Sequence, residues 1–246
     1  MRGTVLNTLT VALGAGIGLA IGQSLPVDLQ EIALSALGLV TVGLGLKMFL
    51  ETRNVLVVAG ALAFGAVLGR LLGIDVGFER VADSLRYVLR GEGYFNEGLI
   101  TATVLFCVGP MTLLGCLQDA LEGKLDLLSV KSLMDGVAAV FLAATLGNGV
   151  LASAILVFGI QATLTLLATR LRRFAEDLEF IRETSATGGL MLVSVGISLL
   201  RLKDMPTELF LPALVLAPSF VQLGRWLKQL RPEKQPEPSS SEGVLS

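Results

Sequence analysis

Apolar residues fall into long, nearly uninterrupted runs along this chain, and polar residues gather between them. The runs cover residues 5–22, 32–50, 55–72, 99–117, 130–146, 150–167, 187–200 and 209–223. A helix needs about 20 residues to cross roughly 30 Å of hydrocarbon. The pattern therefore predicts an all-α, polytopic membrane helical bundle with seven or eight transmembrane helices. The count stays open because run 187–200 is short for a full crossing. Two connecting segments have another pattern. Residues 76–90 place Phe78, Val81, Leu85 and Val88 on one face, with Glu79, Arg80, Asp83, Arg86 and Arg90 elsewhere. Residues 171–182 do the same with Leu171, Phe174, Leu178 and Ile181. That spacing predicts two amphipathic helices, lying in the headgroup plane or packed on the protein's own aqueous side. The membrane domain then spans 1–231. The Pro-, Glu- and Ser-rich tail 232–246 buries too little apolar surface to order itself.

Composition supports a bilayer as solvent. The hydrophobic set makes up 53% of the residues, charged residues only 16%, and mean hydropathy is +0.74. A soluble domain has about 25% charged residues. The first run is read as a retained helix, since a signal peptide would not account for the later spans. A net charge of −2 gives nucleic acid no basic surface, and the absence of His removes His-ligated metals and His bases. Cys107 and Cys116 fall on one predicted span, about 13 Å apart along it, too far for a bridge. With eight spans and the N-terminus inside, thirteen Lys and Arg lie on the inner side, among them Arg170, Arg172, Arg173 and Arg182. Six lie outside: Arg70, Arg80, Arg86, Arg90, Arg201 and Lys203. Positive charge on the inside predicts an inner-membrane protein with both termini in the cytoplasm.

Thr41-Val42-Gly43-Leu44-Gly45-Leu46 resembles Ser194-Val195-Gly196-Ile197-Ser198-Leu199, 153 residues later. The same offset pairs the third span with the eighth. The copies are five spans apart, an odd number, so they would face opposite ways. The expectation is an inverted repeat with halves centred on 32–72 and 187–224, the symmetry around which secondary transporters build a midplane site. Shared composition of Gly-rich helices is the plainer alternative.

Polar and helix-breaking residues inside the spans supply the candidate site. Gly109-Pro110 interrupts the fourth span, and a carbonyl freed in lipid needs a partner. Lys131 and Asp135 are four residues apart and can pair on one helix face. Asp135 is the candidate for ion coupling, because an acid at membrane depth is functional by default. Thr145, Asn148, Ser153, Gln161, Thr163 and Thr165 form a polar stretch, and an unpaired amide at Gln161 would be costly. Asn7, Thr41, Gly43, Ser194 and Gly196 complete the expected substrate-binding set. Packing, interhelical bonding and a simple kink are the plainer readings of these residues. No residues carry metal-ligand or nucleophile–base spacing, so no metal, no cofactor and no enzyme chemistry are expected.

Several segments together resemble the DUF554 family of bacterial inner-membrane proteins. They are Arg2-Gly3-Thr4-Val5-Leu6-Asn7, Phe106-Cys107-Val108-Gly109-Pro110-Met111, Leu114-Gly115-Cys116-Leu117-Gln118-Asp119, Lys131-Ser132 with Asp135-Gly136, Leu146-Gly147-Asn148-Gly149-Val150 with Ser153, Thr187-Gly188-Gly189-Leu190 and Leu211-Pro212-Ala213-Leu214. The resemblance covers nearly all of the chain except the polar tail. It implies a multi-pass inner-membrane protein and names no ligand. The leading expectation is a secondary transporter of a small neutral or zwitterionic solute, H⁺- or Na⁺-coupled, working by alternating access. The alternatives are a channel or pore-forming oligomer and a non-transporting scaffold or sensor. Expected partners are membrane lipids, the solute and a second copy in a homo-oligomer.

Overall fold

The computed structural model describes residues 1–91 and 93–230, without the side chains of 173–175 and 228–230. The polar tail 232–246, Arg231 and Lys234 of the charge count, and the Phe174 side chain lie outside the described residues. Within them every regular element is helical: α1 (Arg2–Gly22), α2 (Val27–Phe49), α3 (Val55–Leu71), α4 (Ile74–Leu89), α5 (Phe95–Cys107), α6 (Pro110–Leu121), α7 (Asp126–Leu146), α8 (Asn148–Leu166), α9 (Ala168–Ala175), α10 (Leu178–Leu199) and α11 (Ala213–Leu230). A 3-10 turn, Thr207–Phe210, leads into α11. Among the described residues five helices are long and apolar enough to cross a membrane, and up to seven crossings result if each bent pair is one span. The bent pairs are α3–α4, at 67°, and α5–α6, at 60°.

The fourth predicted span is thus two helices with a sharp break. Pro110, without an N–H, cannot continue α5 but can start α6. The short seventh run belongs to a 22-residue helix, α10, whose first turns carry Arg182 and Glu183. The second amphipathic stretch does not form one helix. Asp177 is extended, its side chain accepts from Glu179 N at 3.0 Å, and that N-cap separates α9 from α10. Arg225 hydrogen-bonds Asp177 and holds its carboxyl below the usual carboxylate range. The first stretch is one helix, α4, but its core face is Phe78, Ala82, Leu85 and Leu89, leaving Val81 and Val88 exposed.

Glycines set how the helices cross. A Cβ on Gly14, Gly18 or Gly22 would strike the backbone of Gly136, Val140 or Ala144. Those numbers rise together, so α1 and α7 run parallel in close contact. Gly38 faces Gly196 and Gly45 faces Gly189, each pair reciprocally. There the numbers run oppositely, so α2 and α10 are antiparallel. Gly65 meets Ala213 and Gly69 meets Leu209, which makes α3 and α11 antiparallel too. One packed unit therefore holds α1, α7 and α8 with α5 and α6, and another holds the α2–α3 and α10–α11 hairpins. A shared core including Val11, Ala139, Leu142, Val104, Met191 and Val195 joins them.

Outside, the bundle is apolar. Leu13, Leu39, Leu56, Phe64, Leu133 and Val215 are all more than half exposed. A water-soluble fold would not tolerate so much contiguous apolar surface, whereas hydrocarbon matches it.

Candidate functional site

Polar side chains that bond between helices concentrate where α1, α7 and α8 meet, near the end of the bundle that holds residue 1. On α7 the i,i+4 spacing stacks Lys131 under Asp135, and Nζ lies 2.9 Å from Oδ1 and 2.8 Å from Oδ2. Both side chains are buried. The close α1–α7 approach brings in Asn7, whose Nδ2 donates to Asp135 Oδ2 at 3.0 Å. Thr4 Oγ1 and Thr165 Oγ1 are 3.1 Å apart and tie α1 to α8. Gly3 N donates to Asp119 Oδ2 at 3.0 Å, which ties α1 to α6. Removing either member of a buried ion pair leaves an uncompensated charge, so this constellation is fixed by its own members.

Three atoms there have no partner. Asn7 Oδ1, Gln161 Oε1 and Gln161 Nε2 are buried and unbonded, and both residues are 0% exposed. Gln161 is one turn before Thr165 on α8, and Thr165 bonds Thr4 on α1. The same helix face therefore carries Gln161 along α1 toward the level of Asn7. Thr103 Oγ1, in the penultimate turn of α5, is likewise buried and unbonded. Each such group costs roughly 1–3 kcal/mol.

The break lies beside this cluster. Val108 and Gly109 are extended (φ −93°, ψ 100°; φ 170°, ψ 153°). Thr112 Oγ1 donates back across the gap to Phe106 O at 3.1 Å. α5 and α6 both pack on α7, where Gly115 meets Leu128. Cys107 and Cys116 are free and sit on different helices, α5 and α6.

The structure thus brings together Asn7, Asp135 and Gln161 beside Gly109 and Pro110. The other sequence-predicted residues are elsewhere. Thr41 Oγ1 donates to Leu37 O of its own helix at 2.8 Å. Ser194 Oγ pairs with Thr207 Oγ1 at 2.7 Å. Gly196 is used up in the α2–α10 crossing, and Gly43 lies on the outer face with nothing near its Cβ position. Ser153 Oγ donates to Val150 O at 2.6 Å. Asn148 Nδ2 donates to Leu89 O at 3.2 Å, at the opposite end of α8 from Thr165. None of their hydrogen bonds reaches Asp135.

Sequence reasoning missed Thr4, Thr103 and Thr112, since hydroxyls in helices usually bond their own carbonyls and leave no pattern. It also missed Glu183. That carboxylate, 0% exposed, accepts from Thr52 Oγ1, from Arg53 N at 2.9 Å and from Asn54 N at 3.2 Å, closing the start of α3. Two surface hollows lie apart from the cluster. An open cleft of about 720 Å³ is lined by Arg53, Glu176, Asp177, Leu178, Glu179 and Arg182. An apolar groove of about 460 Å³ runs between α3 and α10.

A family model described as "Protein of unknown function (DUF554)" matches residues 2–222. The uncharacterized membrane protein YdfK of Bacillus subtilis (strain 168) is 29% identical over 222 residues, covering 89% of this chain and 94% of its own length. The uncharacterized protein YqgA of Escherichia coli (strain K12) is 26% identical over 221 residues, covering 87% of this chain and 94% of its own. No solved structure matches.

Proposed function

The chain belongs to the DUF554 family, whose description names no activity, and from the chemistry of its own polar cluster we propose that it is a secondary transporter of a small neutral or zwitterionic solute. One observation carries this reading: fully buried, unpartnered amide atoms of Asn7 and Gln161 beside the Lys131–Asp135 pair and the α5–α6 break. A purely structural cluster gains stability by pairing or losing such atoms. A binding site keeps them for a ligand. Their complete burial favours an occluded carrier over an open pore. The role is non-enzymatic and needs no bound cofactor. The coupling ion is H⁺ or Na⁺, with Asp135 as its site; Lys131 and Asn7 are the groups around it.

In this reading α10, packed antiparallel on α2, also crosses, which brings the crossings of the inner membrane to eight: α1, α2, α3, the bent α5–α6 pair, α7, α8, α10, and the 3-10 turn with α11. Both termini are cytoplasmic, as the excess of Lys and Arg near that end favours. The antiparallel α2–α3 and α10–α11 hairpins are the inverted halves. Their reciprocal glycine contacts pair Gly38 with Gly189 and Gly45 with Gly196 as equivalents, two residues off the offset read from sequence. Alternating access then rocks this hairpin unit against the α1–α7–α8 unit.

The test uses proteoliposomes holding the purified chain, incubated in a metabolite extract under an imposed pH or Na⁺ gradient. Mass spectrometry of their contents, against protein-free liposomes, should reveal at least one solute accumulated with the gradient. The double variant Lys131→Gln with Asp135→Asn, which removes the pair without stranding a charge, should abolish the gradient dependence. Contents indistinguishable from protein-free liposomes under both gradients would end the transport reading.

A further inference from the structure

We infer that the break between α5 and α6 holds the solute, and that the solute is a small amino-acid-like zwitterion with its carboxylate on the first turn of α6 and its ammonium on the last turn of α5. This rests on the transport reading above and narrows it.

The break juxtaposes two helix ends of opposite polarity. α5 stops at Cys107, and α6 restarts at Pro110. Phe106 O accepts from Thr112 Oγ1, Thr112 N donates to Gly109 O, and Pro110 has no N–H. The remaining last carbonyls of α5 and first N–H groups of α6 lie within a few residues, and the 60° bend keeps the two ends from running into one another. Helix starts attract anionic groups, and exposed helix-end carbonyls attract cations. The α6 N-terminus has no side-chain cap. A zwitterion satisfies both ends. A simple anion or cation satisfies one and leaves the other facing a mismatch, since Lys131 and Asp135 already neutralise each other.

Unpaired side chains point the same way. Cys116 lies beside Thr165 where α6 packs on α8. One turn back on each helix brings Gln161, 0% exposed and unbonded at both amide atoms, level with Thr112 on the first turn of α6. Thr103, 6% exposed and unbonded, is one turn before Cys107 on α5, which packs on α7. An amide offers a donor and an acceptor, and a hydroxyl offers both. There is also room: a Cβ on Gly109 would meet nothing within 4 Å. Val108 beside it packs on Gly188 of α10, so the break lies where the two helix units touch.

The test measures binding to the full-length chain in detergent, by ligand-induced thermal stabilisation and by radioligand. The probes are glycine, L-alanine and L-leucine, against propionate and L-alaninamide. At least one zwitterion should bind, and analogues lacking either charge should bind at least about tenfold more weakly. Gly109→Ala places a methyl in the open space on extended backbone that any residue adopts, and should lower affinity at least about tenfold while the protein folds normally. Gln161→Leu should do the same. Gly159→Ala, on the outer face of α8, should bind as wild type. Absence of zwitterion binding, or wild-type affinity in both Gly109→Ala and Gln161→Leu, overturns the assignment. The two readings separate cleanly. Binding with the expected variant pattern but no accumulation in liposomes sustains the site and removes transport. Accumulation that survives both substitutions sustains transport and removes the site.

Discussion

At the scale of single residues, Gln161 is the informative position, because its two roles predict stability changes of opposite sign. If its amide glued helices together, replacing it with Leu would leave a partner unsatisfied and destabilise the protein. Here neither amide atom has a partner. Gln161→Leu should therefore raise the stability of the ligand-free protein by about 1–3 kcal/mol, read as a higher midpoint in chemical unfolding in micelles, while solute accumulation falls. A lower midpoint would identify a hidden partner. The Lys131–Asp135 pair behaves differently. Lys131→Gln or Asp135→Asn alone strands a buried charge and should cost about 3–5 kcal/mol. The double change strands none, so most of that loss should be recovered. A double-mutant cycle measures this directly, and additive losses would show that the two groups do not act as a pair. Asn7 shares Asp135 Oδ2 with the ammonium, so Asn7→Ala should couple to the same cycle.

At the scale of elements, small residues decide which helices touch and how closely. Gly43 and Gly45 make a controlled comparison two residues apart on α2. A Cβ on Gly45 would overlap Gly189 O on α10, whereas one on Gly43 meets nothing. Gly45→Ala should cost about 1–3 kcal/mol through forced separation of α2 and α10. Gly43→Ala should be neutral or slightly stabilising, since Ala gains up to ~1 kcal/mol over Gly in a helix. Equal thermal shifts in the two variants would mean that α2 and α10 do not cross at these glycines. The same comparison explains what the sequence could reveal. Helix positions were legible because hydrocarbon imposes long apolar runs, and the Gly109-Pro110 break was legible because Pro cannot donate. The Lys131–Asp135 pair was legible from its spacing. On α2 and α10, which glycines pack and which face outward was not, because that depends on the neighbouring helix and not on the local pattern. Gly43 and Gly196 looked equivalent in sequence, yet one is outside and the other is in a crossing. On α4, Phe78, Leu85 and Leu89 pack inward while Val81 and Val88 are exposed, so apolar spacing alone does not mark the core side. The Asp177 cap inside the second amphipathic stretch was legible only in retrospect, since Asp within a charged segment has many solvated roles.

At the scale of the whole molecule, the contacts fix a pattern of ends that one labelling experiment can check. Gly3 packs on Leu128 and Thr4 bonds Thr165, so the starts of α1 and α7 and the end of α8 share one end. Arg225 pairs with Glu179, and Glu183 accepts from Arg53 N, which groups the end of α11 and the starts of α3 and α10. At the other end, Arg201 stacks on Tyr94, its guanidinium 4.9 Å from the ring centroid, and lies 3.8 Å from Glu31. Lys124, between α6 and α7, therefore belongs to the residue-1 end, and Lys203, after α10, to the opposite end. Placed singly in a chain whose Cys107 and Cys116 are changed to Ala, Lys203→Cys should react with a membrane-impermeant maleimide on intact cells. Lys124→Cys should react only after permeabilisation. The reverse pattern would invert the proposed orientation while preserving the fold. Labelling of both from the same side would break the eight-crossing path itself. It would also dissolve the opposed hairpins on which alternating access depends, because α2–α3 and α10–α11 face opposite ways only if an odd number of crossings separates them.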